Sequence, residues 1–373
     1  SSWSGVAFYR NDGDMRFTDI TPAIGIPADS LVYSTGVTIV DINGDGKLDV
    51  FLARWQHSCR LLVNEGKGRF SEQAQAYGLA LNDETVHAVF FDYDNDDKLD
   101  CYLCVYSDFR QRVEAGKQVS SDSSRLTAAQ SRQRGRTDYL YHNNGNGTFA
   151  DVSKAAGIED FGMGLSATAA DINLDGYADL YIANDFNASD IIYLNNRNGT
   201  FSAVQNKLIR RFSTFSMGCD IADFNNDGLP DILTTDMLPS NHLRRITNSG
   251  TSGDMSIYNP TYDSNQVTRN MLQVNRGSSG FSDVGYHAGL AATDWSWACL
   301  MADFDNDGRK DIFIANGYMD DISNQDYVYN ISRLTETMPK PNFLREPNFT
   351  VSYTHLRAHE TKANLVCRLL LEK

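Results

Sequence analysis

Apolar residues in this chain come in short runs set in pairs around a polar nonapeptide. The runs GVTIV, HAVFF, ATAA, CDIA and CLMA stand before it, and VFLAR, CYLCV, LYIAN, ILTTD and IFIAN stand after it. Runs this short, rich in β-branched and aromatic residues and bounded by turn residues, predict strands. A second pattern keeps step with the first. It is an Asn followed six residues later by Phe, in NDGDMRF at 11–17, NEGKGRF at 64–70, NNGNGTF at 143–149, NNRNGTF at 195–201 and NRGSSGF at 275–281. Asn and Gly supply the positive φ of tight hairpin turns, and Phe starts the returning strand. The distance from each Phe to the next nonapeptide is 24 residues once and 22 residues four times, so the two patterns belong to one unit.

Each unit therefore reads strand A, polar loop, strand B, strand C, Asn-Gly turn, strand D. Four antiparallel strands in about 50 residues predict an all-β chain of β-propeller blades. Small residues in strand A, such as Ala169, Ala170, Ala222, Ala298 and Ala302, suit a crowded inner strand. The A-G-[IL] signals at Ala156-Gly157-Ile158 and Ala288-Gly289-Leu290 predict a turn or helical stub after strand D. The nonapeptides begin 51, 79, 52 and 80 residues apart, which places insertions near 106–137 and 237–268; a third is expected near 317–341. The first insertion carries seven Lys/Arg against three acids and is read as a solvated loop ahead of a site for an anionic partner. All three are expected on one rim.

The nonapeptides themselves carry the chemistry. They are DINGDGKLD at 41–49, DYDNDDKLD at 92–100, DINLDGYAD at 171–179, DFNNDGLPD at 223–231 and DFDNDGRKD at 303–311. Oxygen side chains at positions 1, 3, 5 and 9 around a sharp turn at position 6 can close on one hard cation, with the carbonyl of position 7 as a further ligand. Ca²⁺ takes six to eight such oxygens. The candidate ligand sets are Asp41, Asn43, Asp45, Lys47 and Asp49; Asp92, Asp94, Asp96, Lys98 and Asp100; Asp171, Asn173, Asp175, Tyr177 and Asp179; Asp223, Asn225, Asp227, Leu229 and Asp231; and Asp303, Asp305, Asp307, Arg309 and Asp311. Position 7 (Lys47, Lys98, Tyr177, Leu229, Arg309) contributes only its backbone. An EF-hand would need Glu at position 12 between two helices; here that position is Leu52, Leu103, Ile182, Thr234 and Ile314, inside strands. Asp97 replaces the position-6 Gly of the other loops and tolerates the left-handed conformation. The three loops with Asn at position 3 are expected to hold Ca²⁺ less tightly than those starting at Asp92 and Asp303.

Composition fits this reading. The chain has 373 residues and a net charge of −15, with 17 Asp at loop ligand positions. Five Ca²⁺ would leave about −5, so the acidity is metal chemistry and argues against a nucleic-acid partner. Six cysteines are too few and too irregular for a disulfide framework; Cys101 and Cys104, three apart on a strand, are expected to be buried small hydrophobes facing opposite sides. No run of 18 apolar residues predicts a membrane span.

The loops and their hairpins resemble the FG-GAP/VCBS repeats of integrin-α-like β-propellers. The phrases SMGCDIADFNNDGLPDILTTDMLP and WSWACLMADFDNDGRKDIFIANGY resemble bacterial members of the cartilage-acidic-protein/UnbV-associated (ASPIC/UnbV) group. The resemblance covers roughly 6–345 and implies a secreted or surface-exposed, Ca²⁺-stabilised, seven-bladed propeller used for binding, with ions that support the fold. Five complete loops are visible, so blades are expected to be missing from residues 1–350. Residues 351–373 drop the pattern and resemble a translated sequencing-adapter tail, which makes the chain read as an internal fragment. The expected function is a non-catalytic, extracellular or periplasmic scaffold for a protein or polysaccharide. The alternative is a propeller hydrolase or lyase with a site in the central funnel. It has neither HExxH nor G-x-S-x-G behind it, and His57, His87, His142, His242 and His287 fall at unrelated repeat positions. Trp295 and Trp297 could line such a funnel, but core packing is the expected role.

Overall fold

The structure, a computed structural model, describes residues 6–24, 32–106, 138–158, 162–185, 188–248 and 265–316. The segment 107–137, most of the second insertion, the third insertion and the 351–373 tail lie outside these residues. Strands alternate with turns as the apolar runs predict, and the chain is all-β with four-stranded antiparallel blades of the propeller type. A first hairpin, β1 (Tyr9–Gly13) and β2 (Arg16–Asp19), carries the NDGDMRF turn. Three full blades follow. They are β3 (Ser34–Val40), β4 (Asp49–Ser58), β5 (Arg60–Gly66) and β6 (Arg69–Glu72); β7 (Asn82–Phe91), β8 (Asp100–Val105), β9 (Tyr139–Asn143) and β10 (Phe149–Asp151); and β11 (Gly164–Ala170), β12 (Asp179–Asn184), β13 (Ile191–Asn195) and β14 (Phe201–Ala203). After β15 (Phe212–Ser213), a fourth blade is made by β16 (Gly218–Ala222), β17 (Asp231–Thr235), β19 (Met271–Asn275) and β20 (Phe281–Asp283), with β18 (Gln266–Val267) paired parallel to β15. The pair β21 (Ser296–Ala302) and β22 (Asp311–Asn316) flanks the fifth nonapeptide. Every nonapeptide is the A–B loop of its unit.

The chain divides into two compact units, one taking it to Asn184 with Ile191–Val204, the other Asp185–Asp190 and everything from Gln205. In the first unit the cores lie between blades. Phe51, Ala53, Leu61, Cys101, Leu103 and Tyr141 pack in one layer; Tyr102, Cys104, Leu140, Leu180, Ile182 and Tyr193 pack in the next. Strand β8 supplies both, Cys101 and Leu103 to one face and Tyr102 and Cys104 to the other. A strand buried on both faces needs a continuous apolar run, as CYLCV is. Each such side chain contributes about 1.5–3 kcal/mol by burial. Cys101 and Cys104 form no disulfide, are fully buried and lie on opposite faces as expected. In the second unit Leu233, Leu272, Val274, Leu290 and Met301 form the corresponding layer.

Inner strands approach closely, and glycine marks where. A Cβ on Gly36 would stand 2.4 Å from the Val86 carbonyl, and one on Gly218 would stand 2.7 Å from that of Trp297. Threonines stitch the same seam, Thr35 and Thr38 donating to the carbonyls of Thr85 and Ala88. One departure from separate blades is that Trp55–Ser58, the end of β4, pairs with Asn82–Glu84 of β7, joining the first two blades into one sheet. The A-G-[IL] signals are helical stubs or turns. Ala74–Tyr77 is α1 and Ser153–Ala156 is α2, each closed by a left-handed Gly, Gly78 and Gly157. Trp297 corrects the expectation of core packing: it falls in the bulge between Ser296 and Ala298, lacks a cross-strand partner and is 42% exposed. Among the described residues no helix is long and apolar enough to cross a membrane.

Candidate metal centre

The five nonapeptides share one backbone frame. Position 6 is left-handed in all of them, at Gly46, Asp97, Gly176, Gly228 and Gly308. So is position 4, at Gly44, Asn95, Leu174, Asn226 and Asn306, which the sequence reading did not single out. Leu174 at φ 59° is the costly one, since a left-handed L-residue without a local polar side chain pays about 1–2 kcal/mol. These two reversals turn the amides of positions 5 and 6 toward position 1. Asp41 accepts both amides, from Asp45 and Gly46; Asp92, Asp171, Asp223 and Asp303 do the same in their loops. The position-5 carboxylate accepts the amide of position 7, at Lys47, Lys98, Tyr177, Leu229 and Arg309.

Position 9 ties the loop to the blade. Asp49, Asp100, Asp179 and Asp231 are fully buried. One oxygen of each accepts the position-2 amide, from Ile42, Tyr93, Ile172 and Phe224. The other accepts the amide of the hairpin Asn, at 2.7 Å from Asn64, Asn143 and Asn195 and 2.8 Å from Asn275. The Asn side chain then donates to the position-8 carbonyl, of Leu48, Leu99, Ala178 or Pro230. Its own oxygen accepts the amide two residues on, at Gly66, Gly145, Arg197 or Gly277. The Asn is therefore a clamp between loop and hairpin, a role that turn propensity alone had not suggested. Adjacent loops are also linked: Asn95 donates to the Gly176 carbonyl and Asn195 to the Tyr93 carbonyl in the first unit, and Asn226 donates to the Gly308 carbonyl in the second.

Whether such loops suit a hard cation depends on spare oxygen capacity. A carboxylate has about four lone-pair sites, so one accepted amide per oxygen leaves room for coordination. Asp92, Asp94 and Asp96 converge, as do Asp303, Asp305 and Asp311, with oxygens within 4.8 Å of one another. Oδ1 of Asp94 is buried without a hydrogen-bond partner. Burial, with the Asp96 charge added, pushes Asp94 up; burial likewise pushes Asp231 up and brings Asp100 and Asp179 to about 6. These are carboxylates in want of positive charge. The exposed end of the loop finds some in side chains, where Lys47 pairs with Asp45 at 2.7 Å, Lys98 with Asp96, and Arg197 with Asp175 at 3.0 Å. The donor set is all oxygen in four loops and fits calcium. In the second loop His142, which repeat position had set aside, stands beside Asp94 and Asp100.

Comparison with known proteins agrees with the repeat reading. Residues 1–52, 41–103, 126–182 and 171–234 match the FG-GAP-like repeat. Cartilage acidic protein 1 of Xenopus tropicalis is 34% identical over 99 residues, 26% of this chain and 15% of that protein. Its Homo sapiens counterpart is 23% identical over 219 residues, 57% of this chain and 30% of that protein. The chain thus spans less than a third of these relatives. Among solved structures, an Agrocybe aegerita lectin that recognises non-reducing terminal N-acetylglucosamine aligns with 17% identity, TM-score 0.44, over 83% of this chain and 69% of its own.

Proposed function

The chain belongs to the FG-GAP-like repeat family, and on that premise we propose that it is a calcium-stabilised extracellular binding scaffold, non-catalytic, for a protein or polysaccharide partner. The observation that carries this is the recurrence of one loop frame at one place in five repeats. A catalytic centre is built once, from residues that converge at one point. A device repeated in every blade supports the blades.

Calcium held in the loops would neutralise the converging carboxylates of positions 1, 3, 5 and 9 and fix the A–B turn to the hairpin through the Asn clamp. Extracellular modules bind Ca²⁺ at about 10⁻⁴–10⁻³ M, matched to the supply outside cells. At about 1 mM Ca²⁺ and a dissociation constant near 10⁻⁴ M, each site adds about 1.4 kcal/mol. Four or five sites together supply about 6–7 kcal/mol, comparable with the whole stability of a typical domain. In a cytosol the loops would remain repulsive, which favours an extracellular or periplasmic address.

The test is a binding screen of the whole chain against immobilised polysaccharides and extracellular proteins, with calcium and with EDTA. Capture that calcium restores after EDTA supports the scaffold. Turnover of a captured polysaccharide, or capture indifferent to calcium, overturns it.

A further inference from the structure

We propose that the loop at 92–100, together with His142, is a mixed carboxylate–imidazole centre that takes a transition ion of the Zn²⁺ class in place of calcium. The inference rests on the metal-loop reading and revises it at one of the five positions.

The chain supplies its own controls. The residue before the clamp Asn is Val63, Leu194 or Val274 in the other blades and His142 in this one. Position 3 is Asn43, Asn173 or Asn225 in three sibling loops and Asp94 here. The fifth loop shares the position-3 carboxylate, at Asp305, so His142 is the change that sets this loop apart, and it meets Asp94 at one point. Nδ1 of His142 lies 3.2 Å from Oδ1 of Asp100 and 3.5 Å from Oδ2 of Asp94. Ligands bonded to zinc at 2.0–2.1 Å and disposed tetrahedrally stand about 3.4 Å apart, so these separations suit a shared ion. The three residues offer ligand atoms that all lie within 4.8 Å of one another. Oδ1 of Asp94 is shut off from solvent and makes no hydrogen bond of normal geometry, the Asp96 amide reaching this carboxylate only weakly, and a cation would meet that need.

Donor chemistry decides between ions. Calcium is bound by oxygen, and an imidazole in its shell contributes nothing. Imidazole with carboxylate suits zinc and its neighbours. The ring of Tyr93 meets that of His142 edge-on at 79° and orients it, while its hydroxyl, 3.4 Å from Nδ1, stands among the groups that face the ion. In the sibling loops that tyrosine is Ile42, Ile172, Phe224 or Phe304, without a hydroxyl to offer.

The whole chain, stripped with a chelator, would be dialysed against micromolar Zn²⁺ with millimolar Ca²⁺, and bound metals counted by mass spectrometry. One zinc per chain is expected. His142→Val, which restores a sibling residue, should weaken zinc binding by roughly 100-fold or more, since loss of even an outer-shell partner costs 10–100-fold. Calcium held by the other loops should be unchanged. X-ray absorption at the zinc edge of the unsubstituted chain should show an imidazole shell, and this needs no variant to fold. Equal zinc binding by both forms, a zinc without imidazole, or no zinc overturns the proposal, leaving His142 as a neighbour of Asp94 and Asp100. Zinc without calcium elsewhere would instead overturn the calcium reading while sustaining this one.

Discussion

The loops at 92–100 and 171–179 lie in one unit, joined by Asn95 to the Gly176 carbonyl and by Asn195 to the Tyr93 carbonyl, yet they differ at most variable positions. The first has Asp94 at position 3, Asn95 at position 4 and Asp97 at position 6; the second has Asn173, Leu174 and Gly176. Their backbones are nevertheless alike, left-handed at the same two positions, with the same amides on positions 1 and 9. The frame is therefore set by what they share: aspartates at positions 1, 5 and 9 of the loop and one hairpin asparagine. What differs sets charge, strain and choice of ion.

Breaking the shared frame should do the most damage. Asn195→Ala strips donors from the carbonyls of Ala178 and Tyr93 and an acceptor from the Arg197 amide. A loss of about 3 kcal/mol in urea unfolding is expected, from partners left unpaired at about 1–3 kcal/mol each. Asn64→Ala removes only the bond to the Leu48 carbonyl and the one from the Gly66 amide, at a more exposed site, and should cost about half as much. Equal losses would mean that the link between loops contributes nothing.

Acidity sharpens the contrast between filled and empty loops. Burial raises Asp100 and Asp179 to about 6 in the folded chain, above their value of about 3.9 when unfolded. The folded state then binds more protons between those values, so the chelated protein should gain stability as pH falls from 7 to 5, by about 1 kcal/mol per group. With calcium present the slope should reverse, because protons then compete with the ion. Parallel slopes in chemical denaturation with and without calcium would contradict this.

The difference in strain is a smaller effect. Leu174→Asn gives the second loop the residue type its neighbour carries at position 4 and should stabilise by about 1 kcal/mol. An unchanged melting temperature would show that the backbone had already relaxed. Smallest is Lys98→Met, which removes a half-exposed ion pair with Asp96 and should leave the urea midpoint almost unchanged.

Much of this was legible in the chain. Runs such as CYLCV, the fixed interval from Phe to Asp and the Asn-Gly turns yield the order of strands and the place of each loop. Left-handed position 4 was visible in Gly44, Asn95, Asn226 and Asn306, with Leu174 concealing the rule. The clamp was not legible, because Asp100 meets Asn143 across 43 residues and Asp49 meets Asn64 across 15. Only folding shows that these are one contact. His142 was not legible for a related reason: it stands where other repeats carry Val63, Leu194 and Val274, so it falls outside the pattern that gives the chain its reading.

The central claim is that ions in the Asp loops hold the blades together, and thermal unfolding of the whole chain in 1 mM Ca²⁺ and in excess EDTA tests it most directly. Four or five sites at about 1.4 kcal/mol each should lower the melting temperature by roughly 10 °C in EDTA, with recovery on adding Ca²⁺ but not Mg²⁺. Superimposable melting curves would contradict it, leaving the five nonapeptides as turns held by their own amides.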